Sequence, residues 1–159
     1  MASIKSRHLP ILAGVAYLLA WPLPSVVETI PVPLGPTVEV VRGWEATRWA
    51  LSPVWPDGRS LEVGPLHAAV IVASALANLV FLGALLLALR WPKRITRVLE
   101  YATWIAVLLA AHWLLFFRPE LKSLRIGYYL WLTSFVLLAL GVHGVRRLHL
   151  RGSATGPVA

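Results

Sequence analysis

Four stretches of this chain, residues 9–27, 65–89, 98–117 and 127–145, are almost free of charge and long enough to carry a helix through a lipid bilayer. A helix rises roughly 1.5 Å per residue, so about 20 apolar residues cross a hydrocarbon layer about 30 Å thick. Inside that layer no water is present to pair the peptide groups, and each stretch must bond within itself, which makes it helical. The expected fold is therefore all-α: an integral membrane four-helix bundle. Composition agrees, because 58% of the residues are hydrophobic and 14% charged, whereas soluble domains run at about 45–50% and about 25%. The first stretch is the weakest, since Pro22 and Pro24 interrupt regular helix geometry near its end. Lys5 and Arg7 before an apolar run also resemble a secretory leader. No small-x-small cleavage site follows, and we expect a retained helix.

Charge sets the expected orientation. With the N-terminus inside, the inner side carries nine cations, among them Lys5, Arg90, Arg94, Arg97 and Arg146, against the single acid Glu100. The outer side carries six cations balanced by six acids. The formal net charge of +8 then falls on one face, as the positive-inside bias predicts. We expect a multi-pass protein of the plasma (inner) membrane with both termini cytoplasmic. The cations flank helix ends, where they reach toward lipid head groups. "RWPKRITR" (residues 90–97) reads as a tight turn and lacks the interleaved aromatics of a base-stacking surface, so no nucleic-acid partner is expected. Absence of cysteine excludes disulfides, thiolate metal sites and cysteine nucleophiles.

Residues 28–64 form a long outer loop, expected as an ordered, tryptophan-rich cap between the first two spans. "TIPVPLGP" (29–36) should be extended because each proline biases its predecessor away from helix. "TVEVV" (37–41) alternates as a strand does, "WEATRWAL" (44–51) reads as a short helix ended by Pro53, and "PDG" (56–58) as a turn. On that helix Trp44, Arg48, Leu51 and Trp55 share a face, placing Arg48 within reach of an indole ring. Indoles suit the membrane interface, and Trp and Arg also dominate binding hot spots. Trp44, Arg48, Trp49, Leu51 and Trp55 are accordingly candidate partner-binding residues, joined by Tyr128, Tyr129 and Trp131 of "GYYLWL" (127–132) at the same level. The tail, 152–159, is expected to be disordered.

Within the spans small residues mark close helix contact. Ala69, Ala73, Ala77, Ala84 and Ala88 form a stripe on the second span, and Asn78, the one amide at mid-depth, is expected to fix register by an interhelical hydrogen bond, with Ser74 a turn before it. His67 and His112 lie at similar depth on the second and third spans, which makes them candidate axial ligands for haem b, since paired imidazoles on facing helices hold that cofactor. A single buried His112 beside Trp113 is the plainer alternative. No catalytic residues and no metal site are indicated: GxSxG, HExxH and carboxylate–histidine clusters are all missing from the sequence.

The layout of four spans, both ends inside, a long first outer loop holding Gly43-Trp44 and Trp49, and a short second outer loop resembles that of claudin-type tetraspan proteins. The resemblance implies topology and carries no residue roles. Those proteins have a cysteine pair in the loop, which this chain lacks. The expected function is a non-enzymatic accessory or scaffolding subunit that contacts membrane lipids and packs against partner membrane proteins or copies of itself. The alternatives are a haem- or pigment-binding redox subunit using the paired histidines, and a small lipid or solute carrier, which would need an interior cavity.

Overall fold

A computed structural model describes residues 2–30, 37–55, 64–116 and 123–154. They run in the order α1 (Ala2–Ala20), β1 (Pro24–Ile30), β2 (Thr37–Arg42), α2 (Gly43–Ala50), α3 (Pro65–Arg90), α4 (Arg97–Phe116) and α5 (Ile126–Ala154), with a 3-10 turn at Pro92–Arg94 between α3 and α4. The described residues are mostly helical, with one two-stranded sheet among them. The expected turn at 56–58 and most of "TIPVPLGP" lie outside the described residues.

Helix ends follow from local chemistry. α1 stops at Ala20 and not at residue 27, because Trp21-Pro22 and Pro24 end the helical ladder, and the chain turns directly into β1. Gly64 precedes α3 with Pro65 in the first turn, where a missing N–H costs nothing. Pro92 ends α3 at its other end, and Arg94 lies over the Trp91 ring 5.8 Å from its centroid. Thr96 then opens α4, its hydroxyl accepting from the Leu99 N–H at 3.2 Å. α5 continues through Ala154, well past the expected end at residue 145 and into the segment expected as a disordered tail; residues 155–159 are outside the described set.

The four long helices pack around one core. Ala13 and Tyr17 from α1, Phe81 and Ala84 from α3, Ala106 and Ala110 from α4, and Phe135, Leu138 and Val142 from α5 meet there. Tyr17 stacks on Phe81 with centroids 4.3 Å apart, and Phe81 meets Phe135 at 4.8 Å. Small residues let the backbones approach, and the Pro10 ring of α1 sits against Gly141 of α5. The alanine stripe of α3 is only partly used: Ala77, Ala84 and Ala88 are buried, Ala73 is half-buried and Ala69 exposed. Toward the cap the buried face shifts to Ile71, Ser74, Ala75 and Asn78. Among the described residues two helices are long and apolar enough to cross a membrane, Pro65–Arg90 at mean hydropathy 2.5 and Ile126–Leu148 at 1.5, whereas the apolar part of α1, His8–Ala20, is shorter.

β1 and β2 pair antiparallel, with Val26 opposite Val41 and Ile30 opposite Thr37. The register slips between Pro24 and Val26, a bulge that bends the strand. At that bend the Ser25 carbonyl accepts the Arg125 N–H at 2.9 Å, and Val26 bridges to Leu124. β1 is thereby tied to the entry of α5 as well as to β2. The sheet and α2 together form the cap over one end of the bundle.

Candidate functional site

Two glycines let the cap sit down. A Cβ on Gly43, at the start of α2, would lie 2.8 Å from the Ala20 carbonyl oxygen, and one on Gly127, in the first turn of α5, 2.7 Å from the Pro24 oxygen and 2.8 Å from the Leu23 oxygen. No side chain fits such distances to backbone, so both positions need glycine. α2 itself is closed at its start by Glu45, whose carboxylate accepts the Arg42 N–H at 2.7 Å. The helix therefore arrives at a fixed height above the bundle.

Between cap and bundle this arrangement leaves a cavity of about 400 Å³. Trp21 at the end of α1, Trp49 of α2, Trp113 of α4, and Tyr128 and Trp131 of α5 supply aromatic walls. Ser25, Thr47, Ser74 and Ser123 add hydroxyls, and no charged side chain is among the described lining residues. The volume and the mix of rings with a few polar groups are those of a small-ligand site.

The walls are held from behind. Trp131 donates its indole N–H to Asn78 Oδ1 at 2.9 Å, and the Tyr17 hydroxyl donates to the same oxygen at 3.0 Å. Asn78 in turn donates to the Ala75 carbonyl at 2.9 Å. One amide of α3 thus fastens α1 and α5. Trp113 donates to Ser74 Oγ at 3.2 Å, joining α4 to α3, and the Tyr128 hydroxyl donates to the Ala110 carbonyl at 2.8 Å, joining α5 to α4. These N–H and O–H groups are spent on the bundle, and the rings turn carbon surface toward the cavity.

The candidate partner-binding residues separate into two sets. Trp44, Arg48, Tyr129 and Trp55 are exposed, Trp55 at 76%. Tyr128 and Trp131 face inward, because positions 128, 131 and 135 form one helical face that continues into the core at Phe135. Trp49 is half-buried in the cavity wall and Leu51 is half-buried against Ala50, Ile71 and Ala75. The signal that could have found the inward set was that 3–4 spacing of aromatics on α5.

Neither candidate cofactor ligand is among the residues lining the cavity. His67 begins α3 and His112 lies in the last turns of α4, at the same end of the two neighbouring helices. His112 Nδ1 bonds to the Leu109 carbonyl, which can only accept, so that nitrogen carries the proton. The His112 ring lies 5.0 Å from that of Trp113. Among the described residues no group of three or more histidine or carboxylate side chains is placed to hold a metal.

At the opposite end of the bundle the structure reveals an ion-pair cluster that sequence reasoning missed. Glu100 of α4 is buried and paired with His143 and Arg146 of α5, not with Arg94 or Arg97 of its own neighbourhood. The i,i+3 spacing of His143 and Arg146 puts both on one face of α5. Comparison of the chain with protein-family models, curated proteins and solved structures finds no match.

Proposed function

We propose that this is a multi-pass integral protein of the plasma (inner) membrane, with α1, α3, α4 and α5 as its four spans, both termini cytoplasmic and the cap on the outer face. Support comes from the outside of the bundle. Leu18 on α1, Leu79 on α3 and Leu108 on α4 are 72%, 66% and 70% exposed, and further leucines flank them. A water-soluble protein does not carry such a continuous apolar belt around its helices, whereas lipid covers it without cost. The apolar part of α1, His8–Ala20, reaches about 20 Å, and Trp21 at its end suits the interface.

Within the membrane the protein acts as a non-enzymatic accessory or scaffolding subunit that packs laterally against a partner membrane protein or a second copy. One observation carries this reading: the cap is fixed by close backbone approaches at Gly43 and Gly127, yet Trp44, Trp55, Val38 and Val40 remain exposed on it. A rigid face bearing indoles is what a binding hot spot requires. The test is a photoreactive side chain placed at position 44 or 55 in living cells, with position 79 as the lipid-facing control. Protein adducts at 44 and 55 support the reading, and their mass distinguishes a self-adduct from a different partner. Adducts to lipid alone at all three positions contradict it.

The place of His67 and His112 at the same end of the neighbouring helices α3 and α4 favours a second reading, a haem b subunit. Purified protein should then show a Soret band that is lost in His112→Ala; tryptophan absorbance alone would leave the scaffolding reading in place.

A further inference from the structure

We propose that the cavity beneath the cap is a lipid site that takes one hydrocarbon chain of an outer-leaflet phospholipid, a proposal that rests on the membrane placement above. The chemistry of the walls selects the occupant. Four indoles and a phenol surround about 400 Å³, with no charged side chain among the described lining residues, which favours an uncharged, flexible apolar body. The donors of Trp113, Trp131 and Tyr128 are engaged by Ser74, Asn78 and Ala110, so the rings offer carbon surface to a guest. A hydrocarbon chain filling a space of this size makes dispersion contacts along every wall.

Location supplies the route. Leu18 and Leu19 are exposed on the lipid-facing side of α1, and the residues that follow them, Ala20 and Trp21, are part of the cavity wall. Trp21 is itself partly exposed. A chain lying along α1 therefore meets the cavity at the level where α1 ends, without passing through water. Ser25 in the bulge of β1 and Ser74 in α3 are buried hydroxyls in the same wall.

The full-length protein is reconstituted in phosphatidylcholine vesicles containing a phosphatidylcholine with a diazirine in one acyl chain, irradiated and mapped by mass spectrometry. Crosslinks on the wall residues Trp49, Trp113 or Ser74, in addition to the belt residues Leu79 and Leu108, support the site. Ala46→Trp fills the cavity from α2 and should lower the wall crosslinks by about tenfold, the factor set by excluding roughly two methylenes from an apolar surface, while belt crosslinks stay unchanged. Thr47→Leu, a smaller intrusion, should lower them less; it keeps the comparison readable if Ala46→Trp unseats the cap, which loss of thermal stability would reveal. Crosslinks on the belt alone overturn the lipid site and leave the membrane reading intact. Absence of crosslinks at both overturns the two together.

Discussion

Replacing Asn78 with leucine removes one acceptor and strands two donors, the Tyr17 hydroxyl and the Trp131 indole N–H. A stranded buried donor costs about 1–3 kcal/mol, while bonds between helices in lipid average nearer about 0.6 kcal/mol, so a loss of about 1–3 kcal/mol is expected for the pair. The unfolding midpoint in mixed detergent measures it. Tyr17→Phe should cost less in the Asn78→Leu background than in the wild type, because its donor is then already useless; strict additivity would refute the shared-acceptor geometry. The role of Asn78 was legible because an amide in an apolar run stands out. Its partners were not, since Tyr17 and Trp131 are 61 and 53 residues away along the chain and nothing local points to them. Glu100 shows the same limit. Its partner His143 is 43 residues away along the chain, and Arg146 lies one turn further on α5, so nothing local points to either. Arg146→Ala should destabilise by about 3–5 kcal/mol, since it leaves a buried carboxylate short of a partner. Glu100→Leu combined with Arg146→Leu should recover most of that loss in the same assay, and a double variant as weak as the single would count against a buried pair.

The cap is the element whose placement decides the site, and its internal pieces were easier to read than its seat. Strand alternation at 37–41 and the helix ended near Pro53 follow from local pattern, and both are present as β2 and α2. β1 was obscured because residues 24–27 are apolar enough to extend a helix on paper, although Pro22 and Pro24 forbid it. The close approaches at Gly43 and Gly127 are tertiary, so no spacing rule marks them. They make a contrast that can be measured. Gly43→Ala and Gly127→Ala should each cost about 1–3 kcal/mol, since the cap must lift to admit a methyl group, and tryptophan emission should shift red as Trp49 becomes hydrated. Gly83→Ala, where a Cβ meets nothing within 4 Å, should be neutral or stabilise by up to about 1 kcal/mol. Equal effects at the three positions would mean that the cap is not seated by close backbone contact.

At the scale of the whole molecule, core and exterior are both apolar and the polar material gathers at the two ends. The cap end carries Arg42, Glu45 and Arg48, and the opposite end carries Lys93, Arg94, Arg97 and Arg146. That distribution was readable from sequence, because cations flanking apolar runs need no tertiary information. The cavity was not, because its walls come from α1, β1, α2, α3, α4 and α5 together. All of the functional reading depends on lipid lying between the two ends, with the cap outside. Since the chain has no cysteine, a single introduced thiol reports its own side. Val54→Cys, exposed beyond α2, and Lys93→Cys, exposed in the turn between α3 and α4, should be compared with a membrane-impermeant maleimide in cells whose outer barrier is opened but whose plasma membrane is sealed. The account predicts that Val54→Cys labels at once and Lys93→Cys only after the membrane is permeabilised. Labelling of both from the same side, or recovery of the protein in the aqueous fraction, would contradict it.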